Sequence, residues 1–273
     1  MTWSIIARDS DGSFGIAIAS RFFAVGALCL HTRHAVGALS TQALMNPLYG
    51  QAGIHRLAAG DEPQLVLEAL TSADGGRDHR QLHLIGAQGG PVALTGASCI
   101  AWCGHRVEKD FSVAGNMLAG PQVIDETARV FRGSTGKPLA ERLIAAMAAG
   151  QAAGGDKRGQ QAAALRIHAA EDYPALDLRV DDHETPLLEL ERLYRKSLER
   201  FQWFVACLPR RGDPVGLTNR AEIEASIAAQ IEAQIKAQIK AQSEAQSEAQ
   251  SEAQGALPAN HPDAPLSPAA RTR

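Results

Sequence analysis

The sequence predicts an α+β fold in which two mainly antiparallel sheets are each covered outside by helices, followed by a helical and then disordered C-terminal tail. Three observations carry this. Strand-forming runs are joined by short turns rich in Gly and Asp, so neighbouring strands pair as hairpins. Strands and helices come in separate blocks rather than in alternation. From Arg220 onward the composition becomes polar and repetitive.

The elements follow in order. Thr2–Arg8 contains Trp3, Ile5 and Ile6 and reads as a strand. The turn cluster at 9–13 leads into a second strand, Phe14–Ser20, whose small and apolar residues point to burial on both faces. Residues 25–31 and 35–42 make a third and fourth strand. The apolar spacing then becomes helical over 49–59 and 63–71. Residues 81–87 and 91–95 form a second hairpin, and 111–114 adds a short strand. Helices are expected over 122–131 and 138–152, the latter with Leu139, Leu143, Ile144 and Met147 on one face. A glycine-rich loop at 154–159 precedes two late strands, Ala162–His168 and Leu176–Val180, and a last helix over 187–204.

Residues 1–205 are therefore read as one domain and 206–226 as a linker. Residues 227–254 are seven tetrads ending in Ala-Gln. Ala, Gln, Glu and Lys favour helix. A period of four, however, offsets successive Ile residues by about 40°, so no straight apolar stripe forms. A fraying, solvated helix is expected there, with disorder over 255–273.

Composition narrows the function. Apolar residues make up 45% of the chain, enough for a domain of this size to bury a core. A net charge of −3 without any Lys/Arg block argues against a nucleic-acid partner. Cysteines 29, 99, 103 and 207 do not form a disulfide framework in a chain this long. No secretory signal is evident and no apolar run is long enough to span a bilayer. The expectation is a soluble, cytoplasmic protein with reduced thiols and no membrane partner. P-loop and dinucleotide fingerprints are absent, so no cofactor is expected.

The first strand carries the chemistry. Methionine aminopeptidase removes Met1 when the next side chain is small, which would leave Thr2 at the mature terminus. A terminal Thr has a hydroxyl and an α-amine on one residue. With a pKa of about 7.7–8.0, that amine is partly neutral near pH 7 and can serve as base for its own hydroxyl.

The segments around it resemble a known family. Met-Thr-x-Ser-Ile opens the chain; Ala-Ser-Arg-Phe at 19–22, Ala-Val-Gly-Ala at 24–27, Val-Gly-Ala at 36–38 and Thr-Gln-Ala at 41–43 follow. Asn-Pro-x-Tyr-Gly at 46–50, Gly-Asn-Met-Leu at 115–118, Gln-Ala-Ala-Gly-Gly-Asp at 151–156 and Leu-Asp-Leu-Arg-Val-Asp-Asp-His at 176–183 complete the set. Together these resemble the domain-of-unknown-function family 1028, DUF1028, grouped with the N-terminal-nucleophile (Ntn) hydrolases, over about residues 1–200. The resemblance implies a four-layer αββα sandwich and hydrolysis of an amide bond. The proteasome β-subunit, a relative under this resemblance, opens on a similar plan but uses a lysine near its nucleophile. Here no Lys precedes Lys109, so a nearby positive charge must come from Arg8, Arg21, Arg33 or a later residue.

The candidate site residues follow. Thr2 is the nucleophile. Backbone N–H groups around Thr41, Gln42 and Ala43 are expected to stabilise the oxyanion, on the premise that this strand end lies beside the first strand. Arg21 is either a surface residue or a cation lowering the amine's pKa. Ser20 is a proton relay or a small buried hydroxyl. Asn46 and Asn116 are turn caps or contacts to the amine and substrate. Asp156 and Arg158 are either a helix-end ion pair or one wall of the site. Asp181 with His183, and Cys99, Cys103 and His105, have ligand-like spacing but too few partners for a metal. No Ser/His/Asp set can be assembled from order alone.

The reading is a cofactor-free Ntn amidohydrolase acting on a small amide. The competing reading is a non-catalytic binding or assembly domain of the same fold. The aromatic-rich last helix could pair subunits into a homodimer.

Overall fold

The structure, a computed structural model, describes residues 2–255; Met1 and the end of the tail expected to be disordered lie outside the described residues. It is a mixed α+β fold with two antiparallel sheets. One sheet has the order β10-β9-β2-β1-β8-β7, with β1 Thr2–Arg8, β2 Phe14–Ser20, β7 Gly104–Val107, β8 Phe111–Asn116, β9 Ala162–His168 and β10 Leu176–Val180. The second has the order β3-β4-β5-β6, with β3 Leu30–Arg33, β4 Gly37–Ala43, β5 Arg80–Gly86 and β6 Val92–Thr95.

Period-two alternation builds the layers. On β1, Trp3, Ile5 and Ala7 pack beneath α4 (Gln122–Gly133) and α5 (Leu139–Ala152), with Leu143 and Met147 in the same cluster. Ile6 faces the other way and joins Phe14, Ile16, Ile18, Ala38 and Ile85 between the sheets. On the far side, Leu39, Leu82 and Leu84 meet Tyr49, Leu57, Val66 and Leu67 of α2 (Leu48–Ala58) and α3 (Pro63–Ser72). The order across the molecule is therefore helices, sheet, sheet, helices.

Three segments differ from expectation. Residues 25–31 are not one strand: a short helix, α1 (Gly26–Cys29), precedes β3. Val25 and Cys29 are four residues apart and both enter the inter-sheet core, a helical spacing that their apolar character masked. The edge strand β7 was not expected, because Gly104-His105-Arg106-Val107 is largely exposed and carries little apolar signal. The last helix divides at Arg200 (φ −157°) into α6 (Pro186–Glu199) and α7 (Phe201–Val205). Leu187, Leu190 and Tyr194 of α6 pack into the helix-covered core beside β9 and β10.

Beyond them, α8 runs from Arg220 to Gly255, so the end of the segment expected as a linker, 206–226, is already helical. Ile227 is buried, whereas Ile235 and Ile239 are exposed, as the four-residue drift predicts. Among the described residues, no helix is long and apolar enough to cross a membrane.

Candidate functional site

Three strand ends meet at one end of the larger sheet. Thr2 on β1 is in register with Ser20 on β2 and with Asn116 on β8. The Thr2 hydroxyl donates to Ser20 Oγ at 3.0 Å, and Asn116 Nδ2 reaches Thr2 O at 3.4 Å. Thr2 is 5% exposed.

The 154–161 loop closes against this end. Ser20 O accepts from Gln161 N–H at 3.1 Å. The buried Asp156 carboxylate accepts from the N–H groups of Arg21 (3.0 Å) and Arg158 (2.8 Å), and from Arg158 Nη2 at 3.2 Å. Arg21 Nη1 donates in turn to Arg158 O. Gly154 makes the loop's return feasible: its φ is +116°, and a Cβ there would stand 2.6 Å from the Ala119 Cβ. Thr2, Ser20 and Asn116 thus lie together, and Arg21, Asp156 and Arg158 adjoin them through Ser20-Arg21.

The even-numbered positions of β1 lead inward from Thr2 to Ser4, where the space between the sheets is polar. Gln81 fixes the direction of the whole network. Its Nε2 is surrounded by acceptors, Gly104 O (2.9 Å), Gly115 O (2.8 Å) and Thr95 Oγ1 (2.8 Å), so its Oε1 must accept. Gln42 Nε2 (2.7 Å) and Asn116 Nδ2 (3.1 Å) both donate to that oxygen. Gln42 Oε1 then accepts the Ser4 hydroxyl at 2.7 Å. Ser4 has no second proton, so His83 Nε2 donates to it at 2.8 Å, and His83 Nδ1 accepts from Ser112 Oγ at 2.9 Å. His83 is the neutral Nε2–H tautomer, and burial pushes its pKa down to about 3. Ser4, Gln42, Gln81, His83 and Ser112 are wholly buried, so Ser4 and His83 form a structural pair without access to substrate.

The remaining candidates sit on the opposite sheet. β4 pairs with β3 and β5 and faces β1 across the sandwich, so the premise that its end lies beside the first strand is corrected. Ser40 and Gln42 turn inward; Thr41 turns to the outer face, where its Oγ1 accepts from Asn46 N–H at 3.1 Å. Asn46 also contacts Asp74, which accepts from Tyr49 Oη (2.5 Å) and Arg80 Nε (3.1 Å). The Tyr49 and Arg80 hydrogen bonds hold the Asp74 pKa below the usual carboxylate range. Asn46 and Thr41 therefore belong to a cluster on the α2 side, apart from Thr2.

Between these groups lies a cavity of about 260 Å³, lined in part by Ala43, Leu44, Ile100 and Asn116. Asp181 pairs with Arg179, and His183 Nδ1 accepts from Thr185 N–H. Among the described residues, no three of His, Cys, Asp and Glu gather as a metal site would require.

Residues 2–190 match the family of unknown function DUF1028. The chain belongs to the DUF1028 family. This DUF1028 chain is similar to protein SPO2555 from Silicibacter pomeroyi, whose crystal structure carries the same family name. Identity is 28%, the TM-score is 0.74, and the match covers 80% of this chain and 96% of that one. Anbu, an ancestral β-subunit from Yersinia bercovieri, matches at 14% identity with a TM-score of 0.36, over 72% of this chain and 94% of its own. Among curated proteins no match is found.

Sequence reasoning missed Ser4, Gln81, His83 and Ser112 as one group. A signal existed: each is a polar residue at an alternating position of an apolar strand, as in Gln81-Leu82-His83-Leu84. Their partnership crosses sheets, and no spacing along the chain records that.

Proposed function

We propose that this DUF1028 chain is an Ntn hydrolase cleaving an amide bond in a small substrate, with Thr2 as nucleophile once Met1 has been removed. The observation that carries the reading is the position of Thr2. It ends a central strand, its hydroxyl bonds to Ser20, and the Asp156–Arg21–Arg158 cluster adjoins it.

In the proposed reaction Thr2 Oγ1 attacks the carbonyl carbon and its proton passes to the Thr2 α-amine, with Ser20 as relay. The tetrahedral intermediate collapses, the C–N bond breaks, and the leaving nitrogen takes that proton. Water then hydrolyses the threonyl ester, returning the hydroxyl and releasing the acid. Arg21 and Arg158 supply the positive field that the absent lysine would give. Asp156 holds them, and Asn116 positions Thr2 through its carbonyl. For the oxyanion, Ala43 N–H is the best donor of the 41–43 group. Leu44 N–H bonds His79 O, so alternation turns the Ala43 N–H away from β5, past the end of β3 pairing. Gln42 is engaged in the interior network and acts on the site only through Gln81.

The test is turnover of a panel of small amides, ureides and acylated amino acids. Thr2→Ala is expected to lower turnover by more than about a thousandfold, as loss of a nucleophile does elsewhere. Equal turnover by Thr2→Ala overturns the reading.

One observation favours the non-catalytic alternative. Thr2 is 5% exposed and does not line the neighbouring cavity. A binding domain of this fold predicts no turnover of any amide and unchanged ligand binding in Thr2→Ala.

A further inference from the structure

The cavity beside Asn116 is built by residues held in uncommon conformations. Ala43 (φ +67°) at the end of β4 and Met117 (φ +54°) after β8 both adopt left-handed backbone that non-glycine residues seldom hold. Such strain persists where surrounding structure enforces it, and it concentrates at binding sites. Both residues line the cavity, with Leu44, Cys99 and Ile100.

Its volume of about 260 Å³ is small, since sites for drug-sized ligands begin at about 300 Å³. No Asp, Glu, Lys or Arg lines it. A charged group entering would lose its hydration with no Asp, Glu, Lys or Arg to pair with it. Its polar side chains are His79, Ser98 and Asn116, and of these Asn116 is the one almost wholly buried. Asn116 is 2% exposed, and its Nδ2 is held by Thr2 O and Gln81 Oε1. Its Oδ1 accepts no hydrogen bond among the described residues. The network that fixes Gln81 Oε1 as an acceptor prevents the Asn116 amide from turning over.

We propose that this cavity is a recognition pocket for a small, uncharged apolar group attached to an amide N–H, the N–H donating to Asn116 Oδ1. Burial of the apolar group supplies affinity, and the buried Asn116 acceptor supplies orientation. Calling the ligand a substrate rests on the reading of Thr2 as nucleophile. On that reading the preferred amides carry a short aliphatic or phenyl group next to the scissile bond, and amides of acidic or basic amino acids are rejected.

Protection of Cys99 tests this without relying on catalysis. Cys29 and Cys207 are buried, so in the full chain carrying Cys103→Ser the accessible thiol is Cys99. Its alkylation by N-ethylmaleimide is followed by peptide mass spectrometry, with phenylacetamide as probe and phenylacetate as its charged counterpart. At ten times its dissociation constant, phenylacetamide should slow the reaction about elevenfold, as site occupancy requires. Phenylacetate should not. Leu44→Asp, which changes a side chain already 64% exposed, should abolish the protection by placing a carboxylate at the rim. A ligand-induced rise in Tm should follow the same pattern.

Absence of both protection and the Tm rise, or equal effects from phenylacetate, overturns the proposal. Thr2→Ala separates it from the catalytic reading. Protection kept in a chain that never turns over amides leaves the pocket standing without the nucleophile. Turnover lost in Thr2→Ala, with no protection by phenylacetamide, leaves the nucleophile standing without the pocket.

Discussion

Ser4 and His83 meet across the two sheets, with Oγ 2.8 Å from Nε2. The contact ties β1, the strand that ends in Thr2, to β5 of the opposite sheet. From it the hydrogen bonds run through Gln42 and Gln81 to Asn116, and Asn116 ends the chain on the carbonyl of Thr2. The position of the candidate nucleophile is thus set by a buried polar network as well as by apolar packing.

Ser4→Ala would leave His83 Nε2–H and Gln42 Oε1 without their main partner in a site closed to water. Stranded buried polar groups cost about 1–3 kcal/mol, against about 0.5–1.5 kcal/mol for the net worth of the bond itself. Urea denaturation should show a loss in that range at unchanged m-value. A loss below about 0.5 kcal/mol would contradict the wiring.

His83 gives a pH signature. Its pKa is about 3 in the folded chain against 6.5 for the ordinary side chain, because burial disfavours the charged ring. Between those values the unfolded chain binds a proton at this position and the folded chain does not. Stability is therefore full above pH 6.5 and falls as pH drops toward 3. The slope attributable to this one group approaches about 1.36 kcal/mol per pH unit. Denaturation of His83→Asn between pH 4 and 6.5 should show a slope shallower by about that amount. An unchanged slope would mean that His83 titrates alike in both states.

Gly154→Ala tests the loop that carries Asp156. The added Cβ would meet Ala119 at 2.6 Å, on backbone with φ +116°. Steric strain of this kind costs about 1–3 kcal/mol. Hydrogen exchange of the Arg21 and Arg158 amides, both bonded to Asp156, should accelerate together. Exchange at only one of them would separate the two halves of the cluster.

How far these features were legible in the sequence varied by kind. The β1–β2 hairpin was written in its strand-forming runs and its Asp-Gly turn, and DUF1028 membership in the ordered set of short segments. The register of Thr2 with Ser20 followed from the hairpin alone. Asn116 came within reach only through the β1–β8 pairing, which joins residues far apart in sequence. The premise that the end of β4 lies beside the first strand failed for a definable reason: no local pattern says which sheet β4 joins. Asp156 and Arg158 were recognisable together from their glycine-rich loop, but Arg21 was read apart from them because the loop's return path is tertiary.

The most direct measurement is intact-mass analysis of the purified protein before and after treatment with an N-terminal-threonine probe such as a β-lactone. The expected result is a chain lacking Met1 that gains one probe mass on Thr2, with labelling lost in Thr2→Ala. A chain that retains Met1, or that is labelled equally after Thr2→Ala, would contradict it.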